Sequence, residues 1–145
     1  MGSNTSDKRM RDIELILRFL ALLNQHEKYR KPMKEFISDF MAENKAAPQP
    51  RLEEFKTAFV STAEAASQSL GRKPFHIRTG LNAAVFDSVM VAFGSNRGKV
   101  PSNIKDRYKA LLDNEAYQTY VSTHTTDVDA VKGRIGLASR LLFRK

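Results

Sequence analysis

Ile13-Glu-Leu-Ile-Leu-Arg18-Phe-Leu-Ala-Leu-Leu23 decides the fold class, because nine of its eleven residues are apolar and they recur with helical spacing. Glu14 and Arg18 interrupt the run, and it is well short of the roughly 20 residues that span a bilayer. It therefore reads as a core helix and not an anchor. Met10, Ile13, Leu17 and Leu20 form one stripe, and Leu15, Ile16, Phe19, Leu22 and Leu23 fill the other sides. Apolar on every side, this helix, expected from about Ser6 or Asp7 to Gln25, is predicted to be surrounded by the others.

Outward from there the period stays helical. Pro32 opens a second helix in which Met33, Phe36, Ile37, Phe40 and Met41 recur on one side, ending near Asn44. Ala46–Pro50 is a short linker. A third helix is predicted from Arg51 to Leu70, with Leu52, Phe55, Phe59, Ala63, Ala66 and Leu70 inward and Gly71 as its stop. Gly71–Gly80 reads as an extended connector pinned by Phe75 and Ile77. Asn82 caps a fourth helix reaching Phe93, and Gly94–Pro101 is a loop. Ser102 caps a fifth helix with Ile104, Tyr108, Leu111 and Leu112 inward, and a sixth runs from Asn114 to Val121. Thr126 and Asp129 have capping-box spacing and begin a last helix striped by Val128, Val131, Ile135, Ala138 and Leu142. No alternating strand run and no internal repeat is present. The expectation is an all-α fold, a compact bundle of about six to seven helices, in which residues 6–145 form a single domain. Residues 1–5 are expected to be a flexible start, and Met1-Gly2-Ser3 reads as a junction more than a natural beginning.

Composition bounds the chemistry. With 145 residues, 41% hydrophobic and 28% charged, the chain suits one core, and zero cysteines exclude a disulfide framework, a thiolate metal site and a cysteine nucleophile. The start lacks the basic and apolar segments of a signal peptide, and Asn4-Thr5-Ser6 matches a glycosylation acceptor with nothing else secretory around it. A cytoplasmic protein without membrane contact is expected. His26, His76 and His124 lie about 50 residues apart, each without a second ligand-type residue at i+3 or i+4 in a suitable helix, so neither a metal nor a cofactor is expected. Gly94-Ser-Asn-Arg-Gly98-Lys99 has three residues between its glycines where a phosphate-binding loop needs four, and Val100 where it needs Ser or Thr. It is a helix–helix connection. No G-x-S-x-G elbow is present. Glu53 and Glu54, like Asp127 and Asp129, sit where helix N-termini already favour acids.

Charge is more informative. The formal net charge is +8, and residues 71–110 hold eight basic against two acidic residues. These cations are Arg72, Lys73, Arg78, Arg97, Lys99, Lys105, Arg107 and Lys109, in two loops and on the fifth helix. Brought together they would track a phosphate backbone, with salt-sensitive affinity; dispersed, they are a solvated basic face. Arg97 and Lys99, beside Gly98, are the pair best placed for phosphates. Inside the first helix Arg18 needs partners, and Glu14 at i−4 and Asp87 on the fourth helix are the candidates, Asp87 as a bidentate cross-helix pair.

Arg9–Phe19 (RMRDIELILRF), Tyr29 with Pro32–Met41 (PMKEFISDFM), Phe55, Asn82-Ala-Ala-Val-Phe-Asp87 and Thr126–Ile135 (TDVDAVKGRI) occur here in one order. Together they resemble the C-terminal helical part of a large prokaryotic family of unknown domain function, typified by the GmrS part of GmrSD modification-dependent restriction enzymes and by SspE-like antiphage proteins. In full-length members this part follows a ParB/sulfiredoxin-like domain whose Asp-Gly-Gln-Gln-Arg motif is associated with nucleotide hydrolysis or DNA nicking, and many add an HNH-type nuclease. Neither motif occurs in this chain, so the resemblance carries over no catalytic residue. It implies that Arg18, Asn82, Asp87 and Arg134 are polar positions paired within the bundle. The expected function is a non-catalytic helical domain that supports nucleic-acid binding or packs a ParB-like catalytic domain in cis or in trans. The alternatives are a stand-alone module that docks on or inhibits a full-length relative, and an enzyme of unrecognised type.

Overall fold

The computed structural model describes residues 3–71, 74–77 and 80–144. Among them run seven helices: α1 (Ser3–Gln25), α2 (Met33–Glu43), α3 (Gln49–Leu70), α4 (Ala83–Ser95), α5 (Ile104–Asp113), α6 (Glu115–Ser122) and α7 (Val128–Phe143). A single turn of 3-10 helix, His26–Lys28, joins α1 to the segment before α2. The connector between α3 and α4 makes a two-stranded antiparallel pair, β1 (His76–Ile77) and β2 (Gly80–Leu81), with His76 opposite Leu81. The architecture is the all-α bundle that helical periodicity predicts. The first turn of α1 takes in residues 3–5, which were expected to precede the domain.

The helix at the centre is α4, not α1. Every residue from Ala84 to Phe93 is buried, and α4 packs against α1, α3, α6 and α7. The reason is composition: α4 contains one charged residue, Asp87, whereas α1 opens with Lys8, Arg9, Arg11, Asp12 and Glu14. Those charges keep the first half of α1 in water, and the predicted stripe is inward only at its far end. Met10 is 68% and Ile13 45% exposed, and full burial begins at Arg18 and Phe19. Helix α3 keeps most of its predicted face inward, with Phe55, Phe59, Ala63, Ala66 and Leu70 against the core and Leu52 as the exception. Ala58, Thr62 and Ala66 are buried, because small side chains let α3 approach the bundle closely. Met41 also lies outside, while Met33, Phe36, Ile37 and Phe40 are in the core.

Caps locate the ends. Asn82 Oδ1 accepts from the Ala84 and Val85 amides at 2.8 and 2.9 Å, and its Nδ2 donates to the Val121 carbonyl at 3.0 Å, so one side chain starts α4 and ties it to α6. Asn114 caps α6 through the Tyr117 amide at 2.9 Å. Gly71 ends α3 with φ 99°, a conformation costly for other residues. Two predicted caps differ. Asn103 and not Ser102 precedes α5, and Asp127 and not Thr126 precedes α7, neither with a side-chain capping bond.

Candidate nucleic-acid interface

The polar residues of the interior satisfy one another. Asp87 is fully buried and both of its oxygens are taken. Arg134 Nε donates to Oδ1 at 2.9 Å and Arg134 Nη2 to Oδ2 at 2.7 Å, a bidentate fork, and Arg18 Nε donates to Oδ2 at 2.9 Å. The fork therefore belongs to Arg134, and Arg18 supplies a single bond. Three helices, α1, α4 and α7, meet on this one carboxylate. Arg134 Nη1 turns the other way to the carbonyls of Tyr120 and Thr125. The chain reverses just before α7 at His124, φ 48°, and Tyr29 Oη donates to the next carbonyl, that of Thr126, at 2.6 Å. Burial pushes the Tyr29 hydroxyl up from its ordinary range, against the lowering influence of Arg134 and Arg18. Ser88 and Tyr117 share a buried hydroxyl–hydroxyl bond of 2.7 Å. Glu14, expected beside Arg18, is exposed and has no ion pair among the described residues, since Arg18 points inward to Asp87.

A fully buried acid engaged on both oxygens by guanidinium groups is an anchor for helices.

The basic segment is split by the fold. Arg72, Lys73 and Arg78 lie outside the described residues. Arg97 and Lys99 flank Gly98, whose φ of 79° turns the loop after α4. Arg97 leans on α3, where its Nη1 donates to Ser61 Oγ at 3.5 Å, and it borders a groove of about 540 Å³ with Asn24, Arg51, Glu53, Glu54 and Phe55. Of the two glutamates in that groove, Glu54 is paired with Arg51, and Arg97 and Lys99 both remain exposed. Arg107 leaves the set. Its Nε donates to Asn103 Oδ1 at 2.9 Å, and its Nη1 reaches the carbonyls of Leu141, Leu142 and Arg144, where it closes the C-terminal end of α7. Also exposed, with Arg97, are Lys99 in the loop and Lys105 and Lys109, one turn apart on α5. None of the three has an ion-pair partner among the described residues.

Counting by segment hid one group of cations, because Lys132, Arg140 and Arg144 are diluted among acids in the last 35 residues. Their spacing in α7 was the available signal. Among the described residues no cluster of three His, Asp or Glu could hold a metal, and no helix is long and apolar enough to cross a membrane. Compared with family models, with curated proteins and with solved structures, the chain matches none.

Proposed function

We propose that this chain is the helical, non-catalytic part of a restriction or antiphage-defence protein, and that it holds nucleic acid for a ParB-like catalytic domain supplied in cis or in trans. The ordered motifs from Arg9 to Ile135 support the family, and one geometric observation supports the nucleic-acid part. The charged residues of the interior pair with one another, two guanidinium groups on the Asp87 carboxylate, whereas Lys99, Lys105 and Lys109 stand exposed and without ion-pair partners among the described residues. A cation kept in water attracts a polyanion, whose counterions are released on binding. The test is retention on duplex DNA as a function of salt. Neutralising Arg97, Lys99, Lys105 and Lys109 to Gln is expected to weaken binding and to flatten the log–log salt slope by about three to four. Binding that is undetectable, or indifferent to salt, removes the nucleic-acid role.

A second reading, a protein-docking module, is favoured by the exposed Met10 and Ile13 in the first half of α1. Coelution with a full-length relative, lost in Ile13→Glu and unaffected by the four neutralised cations, would select it.

A further inference from the structure

Lys132, Gly136 and Arg140 recur at every fourth position of α7 and so share one face, and Arg144 follows as the residue that caps the helix. All four are exposed. With Gly133 and with Tyr120 of α6 they line a groove of about 480 Å³. The glycines shape it. A Cβ on Gly133 would come within 2.5 Å of the Tyr120 ring, so the missing side chain lets that ring settle against α7 as one wall. Nothing lies within 4 Å of the place a Cβ would take on Gly136, so the floor there is bare backbone, open to solvent. No carboxylate lines this groove, whereas Glu35, Asp39 and Glu43 line the one beside α2 and Glu53 and Glu54 the one beside α3. The eight helical rises from Lys132 to Arg140 span about 12 Å, enough for the cations at its two ends to meet different phosphates of one strand. At its far end the groove adjoins α5, whose Arg107 holds the Arg144 carbonyl.

We propose that the groove between α6 and α7 binds the phosphate backbone of a nucleic-acid strand, with Lys132, Arg140 and Arg144 engaging separate phosphates along it over the floor made by Gly133 and Gly136. The ligand class rests on the reading above; the residues lie outside it. Arginine suits the role because its planar fork grips a phosphate in two places, and the bare floor lets the strand come close.

Fluorescence anisotropy of a labelled DNA of about 16 nucleotides, single-stranded and annealed, tests this on the full chain. The combined Lys132→Gln, Arg140→Gln and Arg144→Gln variant is expected to lose tenfold or more in affinity at low salt and to flatten the salt slope by about two to three. Gly136→Glu adds a carboxylate to the floor while replacing a poor helix former. It is expected to keep or raise the melting temperature and to lose binding in the same way, which separates a blocked groove from a damaged fold. Wild-type affinity in both α7 variants overturns the groove, and if the α5 and loop variant alone weakens binding, the reading above stands without it. The converse pattern supports the groove and removes the α5 lysines from the contact. DNA binding that persists in the α7 variants while binding of a polyglutamate peptide is lost also overturns the proposal, and a wild-type chain that binds no DNA sinks both.

Discussion

Asp87 is the residue on which the interior depends. Removing it leaves two guanidinium groups desolvated and without their acid, so Asp87→Ala is expected to cost about 3–5 kcal/mol, read as a lowered denaturant midpoint. Arg134→Met should cost more than Arg18→Met, because Arg134 is fully buried and also serves the Tyr120 and Thr125 carbonyls. Equal losses would mean that those carbonyl bonds contribute nothing. Thr62 presents the opposite case. Its Oγ1 is buried without a hydrogen-bond partner among the described residues, so Thr62→Val is expected to raise stability by about 1 kcal/mol in the same measurement. The sequence could show that Arg18 and Asp87 needed partners, since each sits in an apolar helix. It could not show that Arg134 would supply the fork, because the geometry of a three-helix junction is set by packing and not by spacing.

At the scale of elements, two glycines on one helix predict opposite outcomes. Gly136→Ala adds a methyl group in open space and improves helix propensity, which should stabilise by about 0.5–1 kcal/mol. Gly133→Ala drives its Cβ into the Tyr120 ring and should destabilise, prising α6 from α7. Thermal melts of the two variants shifting in the same direction would contradict the contact. The seven helices were legible in the sequence because apolar period, Asn caps and the Gly71 stop are local signals. Which face of a helix turns inward was less so. Leu52, Met41 and Met10 continue apolar stripes yet lie in solvent, since a stripe is buried only as far as a neighbouring helix covers it. The basic segment had the same limit. Its residues lie in one stretch of sequence, but Arg97 leans on α3, Arg107 closes α7, and Lys99, Lys105 and Lys109 face water.

For the molecule as a whole, alkaline pH is the expected weakness. The hydroxyls of Tyr29, Tyr108 and Tyr117 are all pushed above their ordinary value of 10, chiefly by burial. Below that pH both folded and unfolded chains keep these protons and stability is unaffected by them. Above it the unfolded chain loses protons that the folded chain retains, so stability falls as pH rises. Each group adds up to about 1.4 kcal/mol per pH unit to that decline. Unfolding midpoints measured from pH 8 to 11 should be level at first and then drop, and Tyr108→Phe should make the drop shallower.

The meeting of α1, α4 and α7 on one carboxylate also has a consequence for biosynthesis. A ribosome delivers α1 and α4 long before α7, and until Arg134 has left the exit tunnel Asp87 has at most Arg18 beside it. The nascent chain must therefore wait with Oδ1 of its central carboxylate unbonded and with the Tyr120 and Thr125 carbonyls without their guanidinium donor, so the three-helix junction is complete only when the final helix arrives.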